Sequence, residues 1–105
     1  MPVILERQVQ KIYPGKWDEL DAIDKRYDEV EKKYNFPPKR KYRAYSASAD
    51  VDTIIIEREW KSMAKYEEAM YKLWGDAEEQ KLLKESEKII KHYHIEFYLV
   101  WPLRV

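Results

Sequence analysis

Two histidines and a glutamate, His92, His94 and Glu96, alternate through the segment HYHIEFYLVW, and they are the residues of this chain most suited to bind a metal. On a β-strand, side chains two apart share a face, and a His-x-His pair with a neighbouring carboxylate can converge on zinc or iron at about 2.0 to 2.2 Å. A competing reading takes IIKHY as the last turn of a helix, where His92 would be a favourable cation beside the C-terminal carbonyls. Only His94 and Glu96 then share a face, as metal candidates or, more plainly, as a solvated or interface pair. The chain has no Cys, so disulfides, thiolate metal sites and a cysteine nucleophile are excluded.

These residues need elements to position them. Val3 to Tyr13 mixes β-branched and polar residues before the turn signal Pro14-Gly15 and is expected to be a strand. Trp17, Leu20, Ile23, Tyr27, Val30 and Tyr34 recur every three or four positions, the stripe of an amphipathic helix over about 16–34, with Asn35 as C-cap and Pro37-Pro38 beyond it. Residues from about Lys39 to Trp60 read as a hairpin turning around Asp50. Opposite charges face one another if paired residue numbers sum to 100, which sets Arg43 against Glu57 and Lys41 against Glu59. Ser62 caps a second helix carrying Met63, Tyr66, Met70, Leu73 and Trp74, which Gly75 ends. Asp76 with Glu79 is a capping box that starts a new helical stretch with Leu82, Leu83, Ser86, Ile89 and Ile90, so the second helix is broken at Gly75-Asp76. A last strand stops near Pro102.

The order β-α-β-β-α-β predicts an α+β, ferredoxin-like subunit with a four-stranded antiparallel sheet and helices on one face. Parity in the last strand puts Tyr93, Ile95, Phe97, Leu99 and Trp101 under the helices, with Val3, Leu5 and Val9 of the first strand and Ile54, Ile56 and Trp60 of the third. The opposite face receives Glu6, Gln8, Gln10, Ile55, Glu57, Glu59, His94, Glu96 and Tyr98. Its four glutamates, Glu6, Glu57, Glu59 and Glu96, could raise one another's pKa as an acid-base cluster. Lys41 and Arg43 on the same face make an ion-pair network the simpler expectation. Arg7 and Arg58 fall on the helix-covered face, where a guanidinium needs a partner: a ligand, or an Asp or Glu of the first helix. Trp17, Tyr27, Tyr66 and Trp74 either line the same region or fill a core.

Composition bounds the function. A chain of 105 residues makes one domain, 1–105, and equal numbers of acidic and basic residues, 20 each, leave no net field to steer it to nucleic acid or anionic lipid. No signal-peptide pattern or membrane-length apolar stretch is present, so a cytoplasmic protein is expected. Abundant Lys and Glu, a single Asn, a single Thr and two Gly match the bias of proteins from hot environments. Gly15 and Gly75 stand alone, so there is no glycine-rich phosphate loop, and no G-x-S-x-G elbow occurs.

Apolar groups on the helix-free face, Ile4, Ile12, Ile55, Tyr98 and Val100, suggest that a second copy covers it. With REWKSMAKYEEAM, the helix break GDAEE and the closing IEFYLVW, the sequence resembles the dimeric α+β barrel superfamily, which includes NIPSNAP-like proteins and antibiotic-biosynthesis monooxygenases. The resemblance implies a homodimer with the sheets face to face and a ligand cleft between helices and sheet. Haem-degrading members use an Asn, a His and a Trp; here Asn35 is a helix cap and both histidines lie at the last strand, so no cofactor is expected. The leading expectation is an apolar or aromatic ligand, in one version acidic, held by Arg7, Arg58, Trp60, Tyr27 and Phe97. The alternatives are a cofactor-independent monooxygenase-like enzyme and a structural or partner-binding dimer with a filled core.

Overall fold

The computed structural model describes residues 2–46 and 50–103. Its elements are β1 (Ile4–Ile12), α1 (Trp17–Lys33), β2 (Lys39–Arg43), β3 (Thr53–Trp60), α2 (Met63–Trp74), α3 (Ala77–Ser86) and β4 (Ile90–Leu99). The four strands form one antiparallel sheet in the order β2-β3-β1-β4, the α+β, ferredoxin-like arrangement expected from the element order. No helix among the described residues is long and apolar enough to cross a membrane.

Local sequence explains the helix ends. Asn35 adopts φ 56°, a left-handed conformation that Asn tolerates better than most residues, and lets the chain turn back. The Asn35 and Phe36 amides donate to the carbonyls of Lys32 and Glu31, satisfying groups the helix leaves open in the pattern of a Schellman motif. At the other helix break the agent is Asp76 rather than Gly75. Gly75 has ordinary helical angles, whereas Asp76 is extended and its carboxylate accepts from the amides of Glu78 and Glu79. Lys33 Nζ and the Tyr34 hydroxyl also donate to Asp76, at 2.6 and 2.7 Å, fixing the end of α1 to the start of α3.

Register corrects the expected faces. Glu6 pairs with Arg58 and with Phe97, so Ile4, Glu6, Gln8, Gln10 and Ile12 share the helix side with Ile54, Ile56, Arg58 and Trp60. Val3, Leu5, Arg7 and Val9, expected under the helices, belong to the open face with Ile55, Glu57, His94 and Glu96. Ile4 and Ile12 are buried at the two ends of β1 and secure this orientation through the core. The hairpin is also shifted: Arg43 lies opposite Ile54 and Arg40 opposite Glu57, a pairing sum of 97 instead of 100. Lys39, Lys41 and Arg43 therefore point to the helix side. Part of that hairpin's turn, residues 47–49, falls outside the described residues.

The core joins Leu20, Ile23 and Val30 of α1, Ala69, Met70 and Leu73 of α2, Leu82, Ile89, Ile12 and Trp60. It does not reach across β4. Tyr93, Phe97, Leu99 and Trp101, expected beneath the helices, are 57%, 40%, 56% and 81% exposed, although Phe97 packs edge-on to Tyr66.

A Cβ at Gly75 would meet only the Lys72 carbonyl oxygen at 3.7 Å, an ordinary contact. Gly75→Ala is therefore expected to leave stability within about 1 kcal/mol of wild type, on the stabilising side. Asp76→Ala should lower the melting temperature at neutral pH. Hydrogen bonds from Lys33, Tyr34 and the Glu79 amide hold the Asp76 carboxyl well below the usual carboxylate range. Its contribution is present above the ordinary value and lost as pH falls through the folded one, so the gap between the two melting curves should narrow in acid.

Candidate functional site

Beneath α1, α2 and α3 and above the sheet lies a cleft of about 540 Å³. Its floor comes from alternate residues of β1 and β3, Gln8, Gln10, Ile54, Ile56 and Arg58, and its roof from Leu20, Ile23, Tyr27, Tyr66, Met70, Leu73 and Glu79. The exposed side chains Trp74, Leu83, Tyr93 and Ile95 also belong to its wall and open it on the β4 side, while exposed Lys41 and Arg43 line it on the β2 side.

The floor is polar because β1 turns its amides inward. Glu6 is 2% exposed and accepts from the Trp60 indole N–H on one oxygen at 2.8 Å and from Gln8 Nε2 on the other at 2.9 Å. Gln8 Oε1 in turn accepts from Gln10 Nε2 at 3.2 Å. Both carboxylate oxygens act as acceptors, so the two amides are oriented in series and their N–H groups point back toward Glu6. Trp60 is held on both sides by edge-on rings, Phe36 at 5.4 Å and Tyr66 at 5.5 Å between centroids.

One wall is a charge network linking α1 to β2 and β3. Lys39 lies 2.8 Å from Asp24, 3.0 Å from Asp28 and 3.2 Å from Glu31, and Lys41 also bonds Asp24. Arg58 Nη2 donates to Glu31 at 2.9 Å and its Nε to the Pro37 carbonyl at 3.0 Å, with the guanidinium 5.1 Å from the Phe36 ring. Burial pushes the Asp24 carboxyl up, but the hydrogen bonds from Lys39 and Lys41 outweigh it and hold it below its ordinary value. Burial likewise opposes the charge on Lys39, and Glu31 and Asp24 more than restore it, so its pKa is raised. Farther along, the Trp17 indole donates to Asp52 at 2.9 Å and carries the Arg43 guanidinium 3.9 Å from its ring.

Of the five residues expected to hold a ligand, Arg58 and Tyr27 line the cleft, while Trp60 and Phe97 lie on the same side of the sheet, packed on Tyr66. Arg7 does not join them. It faces the open side, 3.8 Å from Glu57, because β1 runs in the other parity. Arg58 has its expected α1 acid, Glu31. Lys41 and Arg43 serve the cleft wall and not Glu57 and Glu59, and the four-glutamate cluster loses Glu6 to the other face.

The histidine segment is also rearranged. His92 pairs with Lys11 inside β4 and is not a helix end, so His92, His94 and Glu96 do share a face. Glu96 is already engaged: Tyr98 donates to one oxygen at 2.6 Å and His94 Nε2 lies 2.9 Å from the other. These two bonds hold its carboxyl below the usual range. Among the described residues no three His, Asp or Glu side chains are placed to hold a metal ion.

Sequence reasoning missed Glu79, Gln8 and Gln10. Glu79 has the spacing of a capping box, yet the Asp76 amide bonds the Leu73 carbonyl, which frees the Glu79 carboxyl to turn inward. Burial, then the Asp76 charge, raises its pKa. Burial above all, and then the charges of Glu79 and Glu31, push the Tyr27 hydroxyl up strongly.

The fold is that of NIPSNAP family proteins. A NIPSNAP family protein from Agrobacterium tumefaciens superposes with a TM-score of 0.82 at 15% identity, covering 95% of this chain and 87% of that one. An uncharacterized NIPSNAP-like domain protein from Burkholderia xenovorans gives 0.82 at 9% identity, over 95% and 86% of the two chains. A conserved protein from Methanosarcina mazei gives 0.68 at 15%, over 94% and 93%. Neither a protein-family model nor a curated protein matches the sequence.

Lys39→Met should cost roughly 3 to 5 kcal/mol near neutral pH, because it leaves three carboxylates without their shared cation. The Asp24 share is lost as pH falls through its lowered pKa, and the Lys39 share as pH rises through its raised one. Chemical denaturation across pH should therefore show the difference shrinking at both extremes. Trp60→Phe, which removes the indole donor from buried Glu6, should cost about 2 to 3 kcal/mol by the same measurement.

Proposed function

We propose that this protein binds a small, largely apolar or aromatic molecule in the cleft between helices and sheet, and does so as a homodimer formed through the open sheet face. The observation that carries the reading is the cleft itself: about 540 Å³ of space within the size range of small-molecule sites, with an apolar and aromatic roof over a floor of oriented polar groups and one charged wall. A filled interior would have left only a structural or partner-binding role. Tyr27, Tyr66 and Phe36 offer stacking area, and Trp60 and Arg58 are held rigidly at one end by bonds to Glu6, Glu31 and Pro37.

The dimer reading draws on the other face. Leu5, Val9 and Ile55 sit centrally there, with Tyr42 and Tyr98 49% and 46% exposed beside them. Arg7 Nε is buried without a hydrogen-bond acceptor among the described residues. Cations Arg7, Lys11 and Arg40 and acids Glu57, Glu59 and Glu96 share this face, so a twofold-related copy can present opposite charges to each. A cytoplasmic location fits the same reading.

Native mass spectrometry tests both parts. The expected result is a species of twice 12.9 kDa carrying or accepting a small ligand. Val9→Glu should return the mass to 12.9 kDa with its circular dichroism unchanged. Ile54→Trp should abolish ligand binding while the dimer persists. A wild-type monomer at micromolar concentration would refute the dimer, and unaltered binding in Ile54→Trp would refute the cleft as the site.

A further inference from the structure

The cations around the cleft are committed. Lys39 has Asp24, Asp28 and Glu31; Lys41 has Asp24; Arg58 has Glu31 and the Pro37 carbonyl; Arg43 lies over the Trp17 ring, 3.9 Å from Asp52. Glu79 is the exception among the acids. It is 4% exposed, it lines the cleft, and its Oε2 has no hydrogen-bond partner among the described residues. A buried carboxyl oxygen without a donor is costly unless something else supplies one.

The surroundings define what that would be. Asp76 sits at the same helix start and repels a charge on Glu79, while Tyr27 of α1 is close enough for Glu79 to perturb its hydroxyl. Tyr27, Tyr66 and Tyr93 all line the cleft, and the faces of such rings carry negative potential that attracts cations. An anionic ligand would meet Glu79 and Glu31, and at Arg58, Lys39 and Lys41 it would compete with carboxylates already in place. An acidic ligand end is therefore the wrong complement to this site.

We infer that the cleft selects an organic cation: a protonated amine on an apolar or aromatic body, its ammonium donating to Glu79 among the tyrosines and its body lying along Ile54, Ile56 and Leu73. The inference rests on the ligand-binding reading above and adds the charge of the ligand. A carboxylate beside an ammonium is favoured in its ionised form, so binding itself removes the penalty on the buried acid.

Calorimetry with tryptamine, tryptophol and indole-3-propionate tests it, because the three share one ring system and differ in charge. The full-length wild type is expected to bind tryptamine about tenfold or more tighter than tryptophol, the scale of a hydrogen bond to a charged group, and indole-3-propionate weakest. Glu79→Gln, which keeps the shape, should bring tryptamine and tryptophol to near parity while tryptophol binding is retained. Equal binding of all three probes by the wild type, or preference for the propionate, overturns the inference and leaves the ligand reading standing. A tryptamine preference that survives in Glu79→Gln, with circular dichroism confirming the fold, overturns the role of Glu79. Failure of every probe to bind the wild type overturns the inference and counts against the ligand reading beneath it.

Discussion

The orientation of β1 is the constraint on which the site depends. As a central strand, β1 pairs with both β3 and β4, so a choice made there propagates across the sheet. The buried bond from the Trp60 indole to Glu6 shows how the choice is held. With Ile4 and Ile12 anchored in the core at either end, the polar run Glu6, Gln8, Gln10 is carried inward between them. Glu6 can be buried only because Trp60 and Gln8 donate to its two oxygens. Reversing the strand would bury Arg7 in place of Glu6 and leave the Trp60 N–H without its acceptor.

A polar floor also changes how the helices can pack. Apolar layers close until side chains interdigitate, but α1 is attached at its edges by long charged side chains: Lys39, Lys41 and Arg58 on the sheet side, and Arg26 to Glu78 and Glu85 of α3. These contacts act as struts. They join the layers at the rim while Ile54, Ile56, Tyr27 and Tyr66 remain only half-buried between them. The partly exposed apolar row of β4 follows from the same geometry, because the helices are centred away from that edge.

The sequence was legible wherever one local signal dominated. Helical periodicity, Asn35, the Asp76 cap and the element order all led to the observed fold. Faces were harder. Odd positions of β1 hold Val3, Leu5 and Val9, while even ones hold Ile4 and Ile12 around three polar residues, so the apolar count favours the wrong side. In the hairpin, cross-strand charge pairs are worth under about 1 kcal/mol. That preference yielded to the carboxylates Asp24, Asp28 and Glu31, which lie on another element and are reached by Lys39. His92 was misplaced because a cation near a helix end and a residue on a strand face look alike without the endpoint of α3. Arg58 was recognised as needing a partner, but Glu79 was hidden by a capping pattern that accounted for it fully on paper.

Among the described residues two buried side-chain atoms lack a hydrogen-bond partner, and they lie on opposite sides of one sheet. Arg7 Nε is buried on the open face and Glu79 Oε2 in the cleft. In a chain with 20 acidic and 20 basic residues, such exceptions are not explained by a shortage of counter-ions. A second copy would answer Arg7, and a donor-bearing ligand would answer Glu79. Because β1 carries Arg7 outward and Gln8 and Gln10 inward, the two proposed events would contact alternate residues of the same strand without sharing a side chain. On the proposed function, association and ligand binding would therefore be separately alterable, and any coupling between them would have to pass through the position of β1 itself.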